Sequence, residues 1–158
     1  MNLQKNAYVD VNPVIVADGC KIVLAKRRLG IVGGGKWHLP GGRVRFKETI
    51  LYTLKRVSFA KTNIEVDLFC NDLRESLVGI YDDPLRDPRE HVMSLAFLCR
   101  IKSGKIKPGK NVDSVRSFSE EQIGDLEIAF DHRKTAKDAF AAIKNLNNFA
   151  LTGANLDK

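Results

Sequence analysis

The residues best suited to ligand binding or catalysis lie between Gly41 and Lys61. Gly41 and Gly42 follow a proline, which favours a turn with positive φ angles and a close approach of backbone to a ligand. Five residues separate Gly42 from Glu48, and seven separate Glu48 from Arg56. We expect Glu48 in the first turn of a helix, where a carboxylate suits the helix dipole. Glycine-rich turns before helices are more often plain connections, so the turn alone predicts no function.

The stretch from Lys21 to Lys61 is strongly basic, with eleven lysines and arginines and a single acid, Glu48. Such a segment repels free Mg2+ and attracts polyanions. A solvated surface charge is an equally good interpretation of any one of these side chains. The whole chain has a net charge of +7 and a pI near 9.4. The chain carries no recognition helix or RNA-binding motif, so we do not expect nucleic acid as a partner.

A strand–turn–helix unit must position this segment. Apolar residues at helical spacing predict a helix that starts near residue 50 and stops at Asn63. Its predicted buried face consists of Ile50, Leu51, Leu54, Val57 and Ser58. An Asp18-Gly19 turn predicts a hairpin. The strand patterns cover residues 12–17, 20–26, 64–69, 75–81, 91–101 and 112–118.

The C-terminal part of the chain predicts two further helices. Ser119 followed three residues later by Gln122 forms a capping box. Asp131 is a second capping candidate, ahead of a helix over residues 132–147. His132 at its start is expected to be a cap or surface residue rather than a catalyst. Residues 102–110 are expected to form a solvated hairpin tip.

The spacing Gly42-x5-Glu48-x7-Arg56 resembles the first half of the Nudix box, G-x5-E-x7-R-E-U-x-E-E-x-G-U, in which U is aliphatic. The resemblance covers about residues 10–150 and implies an α/β fold, a Nudix-type α/β/α sandwich around a mixed β-sheet. We expect one domain over residues 1–158, with a tail over 148–158. The loop at 81–91 is similar to a D-P-x-R-D-P-R segment of ADP-ribose-type Nudix proteins, although a charged, proline-rich turn explains it equally well.

The second half of the box departs from the family pattern. The family has glutamates where this chain has Val57, Ala60 and Lys61, and glycine where it has Asn63. Glutamates at that spacing share one helix face and hold Mg2+ against a diphosphate. The usual metal site of the family is therefore missing from this helix.

One branch of the family, the GDP-mannose mannosyl hydrolases, resembles this chain more closely. It shares P-G-G-R-V at 40–44, E-T at 48–49 and most of R-V-S-F-A-K at 56–61. Only Lys61 departs there, replacing the branch's last helical metal ligand. The branch also has a Gln-His pair in a late loop, where this chain has Asn111-Val112. The match implies that Arg27 and Arg43 contact a diphosphate.

Two hypotheses follow for the function. The first is a Nudix hydrolase of nucleoside diphosphate derivatives, a nucleotide sugar such as GDP-mannose or an ADP-ribose-like compound, and we favour it slightly. Arg27, Arg43 and Lys61 are then substrate-binding residues. The resemblance implies Glu48 and Arg56 as catalytic residues, either separately or as an ion pair. The alternative is an inactive Nudix-fold protein that binds nucleotides or regulates.

Mg2+ or Mn2+ is the cofactor that the family implies, because both are hard cations with oxygen ligands. The candidate metal ligands are the Gly41 carbonyl, Glu48 and Glu120. Glu121, Asp82 and Asp83 are further candidates from loops.

The composition is that of a globular protein, with 44% hydrophobic and 28% charged residues. No apolar run has membrane-spanning length, so we expect a cytoplasmic protein without a membrane partner. Three widely spaced cysteines, Cys20, Cys70 and Cys99, are expected to be buried thiols. Whether the chain forms a homodimer stays open.

Overall fold

The fold is an α/β/α sandwich built on a mixed sheet, seen in a computed structural model that describes residues 6–153. The strands are β1 (Tyr8–Ala17), β2 (Lys21–Arg27), β3 (Trp37–His38), β4 (Gly42–Arg43), β5 (Ile64–Leu68), β6 (Leu77–Tyr81), β7 (Val92–Gly104) and β8 (Val112–Phe118). The helices are α1 (Ile50–Thr62), α2 (Leu73–Ser76), α3 (Glu120–Gly124) and α4 (His132–Gly153).

The centre of the sheet is a parallel pair, β1 and β7, whose register runs from Tyr8 opposite Val92 to Val16 opposite Arg100. All other strand pairs are antiparallel. The far edge of β7 carries β5 and β6 one after the other. β2 continues the sheet from the end of β1 and pairs with β8 and β3.

Alternating residues of β1 supply both hydrophobic layers. Val11 and Ile15 face the layer that contains Leu54 of α1. Val14 faces the opposite layer, which contains Phe140 and Ile143 of α4. Two helical layers therefore cover the two faces of one sheet, as the sequence predicted.

Several predicted boundaries need correction. Glu75 and Ser76 belong to α2 and not to a strand, because the Asp72 carboxylate caps a helical turn there. Glu48 lies just before α1, and Thr49 is the N-cap. Leu51 is exposed rather than on the buried face. Cys20 is exposed, whereas Cys99 is buried.

The C-terminal helix is longer than the sequence predicted, since α4 continues past Asn147 to Gly153. The predicted tail beyond it, residues 154–158, lies outside the described residues. The capping box at Ser119 and Gln122 is present, and so is the left-handed stop at Asn63. Within residues 6–153 no helix has the length and apolarity needed to cross a bilayer.

Candidate functional site: a cationic cleft

A cleft of about 360 Å3 lies where β1, β4, the last turn of α1 and the start of α4 converge. Its charged lining residues are Asp10, Arg27, Arg43, Lys61, Arg86, Asp87 and Arg89. Its polar lining includes Asn12, His38, Ser94, Asn111 and His132. Five cations face two carboxylates, so the cleft is an electropositive cavity that attracts anions. The three predicted substrate-binding residues, Arg27, Arg43 and Lys61, all lie in it.

The Pro-Gly-Gly turn forms one wall of the cleft, and close packing is what requires its glycines. Neither Gly41 nor Gly42 has a positive φ, contrary to the prediction. A Cβ on Gly41 would lie 1.8 Å from Asn12 Oδ1. The Asn12 side chain is itself held, because its Nδ2 donates a hydrogen bond to Ser94 Oγ at 2.5 Å. The turn therefore rests directly on β1, and Ser94 of β7 supports the Asn12 side chain that it contacts.

Glu48 and Arg56 form an ion pair, the arrangement that the family resemblance implied. Arg56 donates from Nε to Glu48 Oε1 at 2.8 Å and from Nη2 to Oε2 at 2.7 Å. Thr53 Oγ1 and the Arg45 backbone N–H also donate to Oε2. The bonds from Arg56 are the main reason why the pKa of Glu48 falls from 4.5 to about 2. Arg56 also donates to the Arg43 carbonyl, which ties α1 to β4.

Arg43 stands at the mouth of the cleft. Its guanidinium lies 3.7 Å from the Tyr8 ring centroid and donates to Glu90 at 2.6 Å. Its Nε is 3.6 Å from Asp10 Oδ1, which is beyond hydrogen-bond distance. That oxygen is buried without a hydrogen-bond donor. Burial accordingly raises the pKa of Asp10.

Arg27 lies inside the cleft against Phe130. It is only 9% exposed, its Nε donates to the Val32 carbonyl, and its guanidinium is 5.1 Å from the Phe130 ring centroid. Arg89 approaches the same ring at 5.0 Å while its guanidinium binds both oxygens of Asp87. Burial lowers the pKa of Arg27, and the positive charge of Arg89 lowers it further.

Lys61 enters the cleft from the last turn of α1. Backbone N–H groups of the 105–110 loop fix that turn, with Gly109 donating to the Lys61 carbonyl and Lys110 to the Ala60 carbonyl, both at 3.0 Å. The loop is solvated, as predicted, but it is not a hairpin tip, because β7 and β8 do not pair with each other. Burial lowers the pKa of Lys61, and the charges of Arg27 and Arg89 lower it further. Among residues 6–153 no carboxylate forms an ion pair with this ammonium.

The 82–91 loop contributes cleft residues that were not among the predicted site residues. Arg86 is held by both oxygens of Asp131, at 2.8 and 2.5 Å. Asp87 is held by Arg89. The D-P-L-R-D-P-R run was the signal for these residues, and its interpretation as a plain surface turn is wrong.

Two buried histidines line the cleft floor, so the expectation of a surface role for His132 is wrong. Its Nδ1 accepts a hydrogen bond from the Leu39 backbone N–H at 3.0 Å. Burial lowers the pKa of His132 to about 4. A neutral ring that accepts at Nδ1 carries its proton on Nε2, which leaves a hydrogen-bond donor. Burial also places the pKa of His38 well below its usual value.

The side chains at the family's metal-binding positions do not fit a divalent cation. Val57 is 3% exposed, and its Cγ1 would lie 3.0 Å from a Cβ on Gly42. Ala60 has no donor atom in its side chain, and Lys61 is a cation. Both oxygens of Glu48 are occupied by Arg56. No group of three His, Cys, Asp or Glu side chains within residues 6–153 is arranged to hold a metal ion.

The structure does not bring Glu120 to Gly41 and Glu48. Glu120 begins α3, pairs with Lys144 at 2.5 Å, and is not a lining residue of the cleft. Glu121, Asp82 and Asp83 are exposed and also lie outside the lining. Asn111, by contrast, does line the cleft.

The sandwich fold and the cationic cleft beside the Pro-Gly-Gly turn define an anion-binding α/β protein, and sequence comparison identifies its family. The model of the NUDIX domain matches residues 8–139. An ADP-ribose pyrophosphatase from Methanocaldococcus jannaschii is 32% identical over 133 residues, which cover 81% of this chain and 73% of that protein. The chain belongs to the Nudix family.

Solved structures agree with this fold. A MutT/Nudix family protein from Enterococcus faecalis has a TM-score of 0.72 at 18% identity over 92% of this chain. The chain spans 65% of that protein's length. The Nudix domain of Shewanella oneidensis NrtR, solved with ADP ribose, has a TM-score of 0.67 at 19% identity and covers 85% of this chain and 88% of that one. At these identities the likeness shows the fold alone.

Proposed function

We propose that the protein is a Nudix hydrolase of nucleoside diphosphate derivatives, with ADP-ribose as the first candidate substrate. The observation that carries this proposal is the pair Arg27 and Lys61, two cations in the cleft without a carboxylate partner among the described residues. Lysine and arginine bind phosphate oxygens well. The M. jannaschii relative, named an ADP-ribose pyrophosphatase, supports this choice of substrate.

The proposed roles follow from position. Arg27 and Lys61 neutralise the diphosphate, and charge that develops there during hydrolysis is stabilised by the same preorganised groups. Arg43 contacts the ligand from the mouth of the cleft. Glu48 and Arg56 are positioning residues, because their ion pair holds β4 and the glycine turn against α1. Among residues 6–153 no ligand set suits Mg2+ or Mn2+, so these roles belong to side chains alone.

A turnover screen tests the proposal. ADP-ribose, GDP-mannose and a nucleoside triphosphate are each incubated with Mg2+, with Mn2+ and with EDTA, and nucleotide products are resolved by ion-exchange chromatography. We expect AMP from ADP-ribose at a rate that an Arg27→Ala variant lowers by at least about tenfold. A parent protein that leaves ADP-ribose intact under all three conditions would overturn the hydrolase.

A second candidate is a nucleotide-binding protein without turnover. The observation that favours it is the set Val57, Ala60 and Lys61 in place of the family's glutamates. The two candidates differ in one measurement, since the binding protein retains ADP-ribose unchanged while calorimetry shows saturable binding.

Three finer points belong to the same proposal. The P-G-G-R-V match makes GDP-mannose the second substrate to test. We also propose that residues 1–158 act as one domain and that the protein works in the cytoplasm. Sedimentation of the purified chain decides whether it is a homodimer.

A further inference from the structure

We infer that the cleft binds the diphosphate of its ligand directly, without a divalent metal ion, and that Lys61 and Arg27 supply the positive charge. This inference rests on the proposed function in its choice of a diphosphate. It concerns the groups that neutralise the phosphate charge, whereas the proposed function concerns the reaction.

The cations of the cleft differ in whether a carboxylate pairs with them. Three of its five cations already have partners, because Arg43 pairs with Glu90, Arg86 with Asp131 and Arg89 with Asp87. The Arg27 guanidinium donates only to a backbone carbonyl, that of Val32, in the described part of the chain. The Lys61 ammonium has no hydrogen-bonded partner there. The unbalanced charge is thus concentrated on these two side chains.

Placing these two cations together has an electrostatic cost. Arg27 and Lys61 both line one half-buried cavity, where burial lowers the pKa of each, and the charge of Arg27 lowers the pKa of Lys61 further. Like charges in such an environment destabilise each other unless an anion enters. A diphosphate carries negative oxygens on both phosphorus atoms, so it relieves the repulsion at both side chains.

The same side chains disfavour a divalent cation in this part of the cleft. Lys61 occupies the helix position where the family pattern has a glutamate, so its ammonium replaces a ligand with a positive charge. A divalent ion beside Lys61 and Arg27 would meet repulsion from both. The carboxylate of Glu48 is not part of the cleft lining, and Arg56 occupies both of its oxygens. An ammonium needs no fixed coordination shell, so it can bind phosphate oxygens in its own right.

The test uses inorganic pyrophosphate as the probe, titrated by calorimetry into the full chain in EDTA and then in Mg2+. We expect binding in EDTA that Mg2+ does not tighten. Lys61→Gln should weaken binding in EDTA by at least about tenfold, and Lys61→Arg should retain it. Lys105→Ala, an exposed lysine outside the cleft, is the matched control and should bind like the parent.

The outcomes separate this inference from the proposed function. Pyrophosphate binding that requires Mg2+, or a Lys61→Gln variant that binds as well as Lys105→Ala, would overturn it. Thermal melts of each variant establish that the protein is folded, and Lys61→Arg supplies a second readout if Lys61→Gln is unstable. If pyrophosphate binds in EDTA while ADP-ribose neither binds nor reacts, the metal-free site stands and the proposed substrate fails.

Discussion

At the residue scale, three contacts shape the site: the Glu48–Arg56 ion pair, the hydrogen bond from Leu39 to the buried His132 ring, and the Arg27 guanidinium against Phe130. The Glu48–Arg56 pair follows from a fixed spacing within one strand–turn–helix unit, so the local sequence contains the information. The burial of His132 and the stacking of Arg27 on Phe130 do not, because the chain folds together segments that are about a hundred residues apart along the sequence. Only the tertiary structure shows that the Lys61 ammonium has no ion-pair partner among the described residues.

Gly41 gives a prediction about close packing. Replacing it with alanine puts a Cβ 1.8 Å from Asn12 Oδ1, and Asn12 cannot move without breaking its bond to Ser94. We expect Gly41→Ala to lower the free energy of unfolding by about 2 kcal/mol, measured by urea denaturation. Gly124→Ala is the control, because a Cβ there meets no atom within 4 Å and its stability should change by less than about 0.5 kcal/mol. Equal effects would contradict the packing argument.

At the scale of elements, α1 connects two parts of the site. Arg56 bonds to β4, at the end of the Pro-Gly-Gly turn, and the last turn of α1 is bonded to the 105–110 loop. The existence of α1, its stop at Asn63 and its burial of Leu54 were predictable from helical periodicity. The anchoring of its last turn by the 105–110 loop was not, because glycine, proline and lysine in that loop are equally typical of a free hairpin tip. Backbone hydrogen bonds to a distant helix leave no pattern in the side chains.

The stability that the Glu48–Arg56 ion pair contributes should depend on pH. The pKa of Glu48 is about 2 in the folded protein against 4.5 for an unperturbed glutamate. The ionised carboxylate therefore stabilises the fold above pH 4.5. That contribution is lost as the pH falls toward about 2. We expect Glu48→Gln to have a lower Tm than the parent at pH 7, and the two melting curves to converge in acid. Glu121→Gln, which changes an exposed acid on α3, should follow the parent at every pH.

The buried face of α1 limits any attempt to rebuild the family's metal site. A variant with Val57→Glu, Ala60→Glu and Lys61→Glu places three carboxylates at the family spacing and should bind Mg2+ more tightly than the parent by calorimetry. It should also be less stable by about 3 kcal/mol, because Val57 is buried beneath Gly42 and a carboxylate there is desolvated.

A second variant separates the two effects. Lys61→Glu alone changes a side chain that faces the cleft, so its free energy of unfolding should stay close to that of the parent. If Val57→Glu alone proves as stable as Lys61→Glu, the loss does not come from burial at position 57.

At the scale of the whole molecule, the family resemblance predicted the sandwich and the mixed sheet correctly, since a short motif near Gly42 identifies a complete fold. The sequence analysis assigned Arg27, Arg43 and Lys61 to the substrate, but it did not predict that Arg86 and Arg89 complete the cation excess of the cleft. That excess is the sum of residues from β2, β4, α1 and the 82–91 loop, and those elements meet only when the sheet is assembled.

The folded state should respond to anions and not to Mg2+. A nucleoside diphosphate at about 100 times its Kd should raise the free energy of unfolding by about 2.7 kcal/mol and the Tm by about 5–10 °C. Mg2+ alone at millimolar concentration should leave the Tm unchanged, because the described residues contain no cluster of metal ligands. A thermal melt with each addition, at constant ionic strength, measures both. Micromolar affinity for Mg2+ in the free protein would contradict this expectation.

The parallel pairing of β1 with β7 dictates the order in which the chain can fold. Tyr8 cannot find its partner until Val92 has left the ribosome, and Ile22 on β2 must wait for Phe118. Until then the apolar residues of the first two strands have few local partners, since β1 and β2 pair only at their adjoining ends. Contacts between such distant segments slow folding and prolong the exposure of apolar strands to other chains. We therefore expect apolar side chains of β1 and β2 to stay exposed during synthesis until β7 and β8 have emerged.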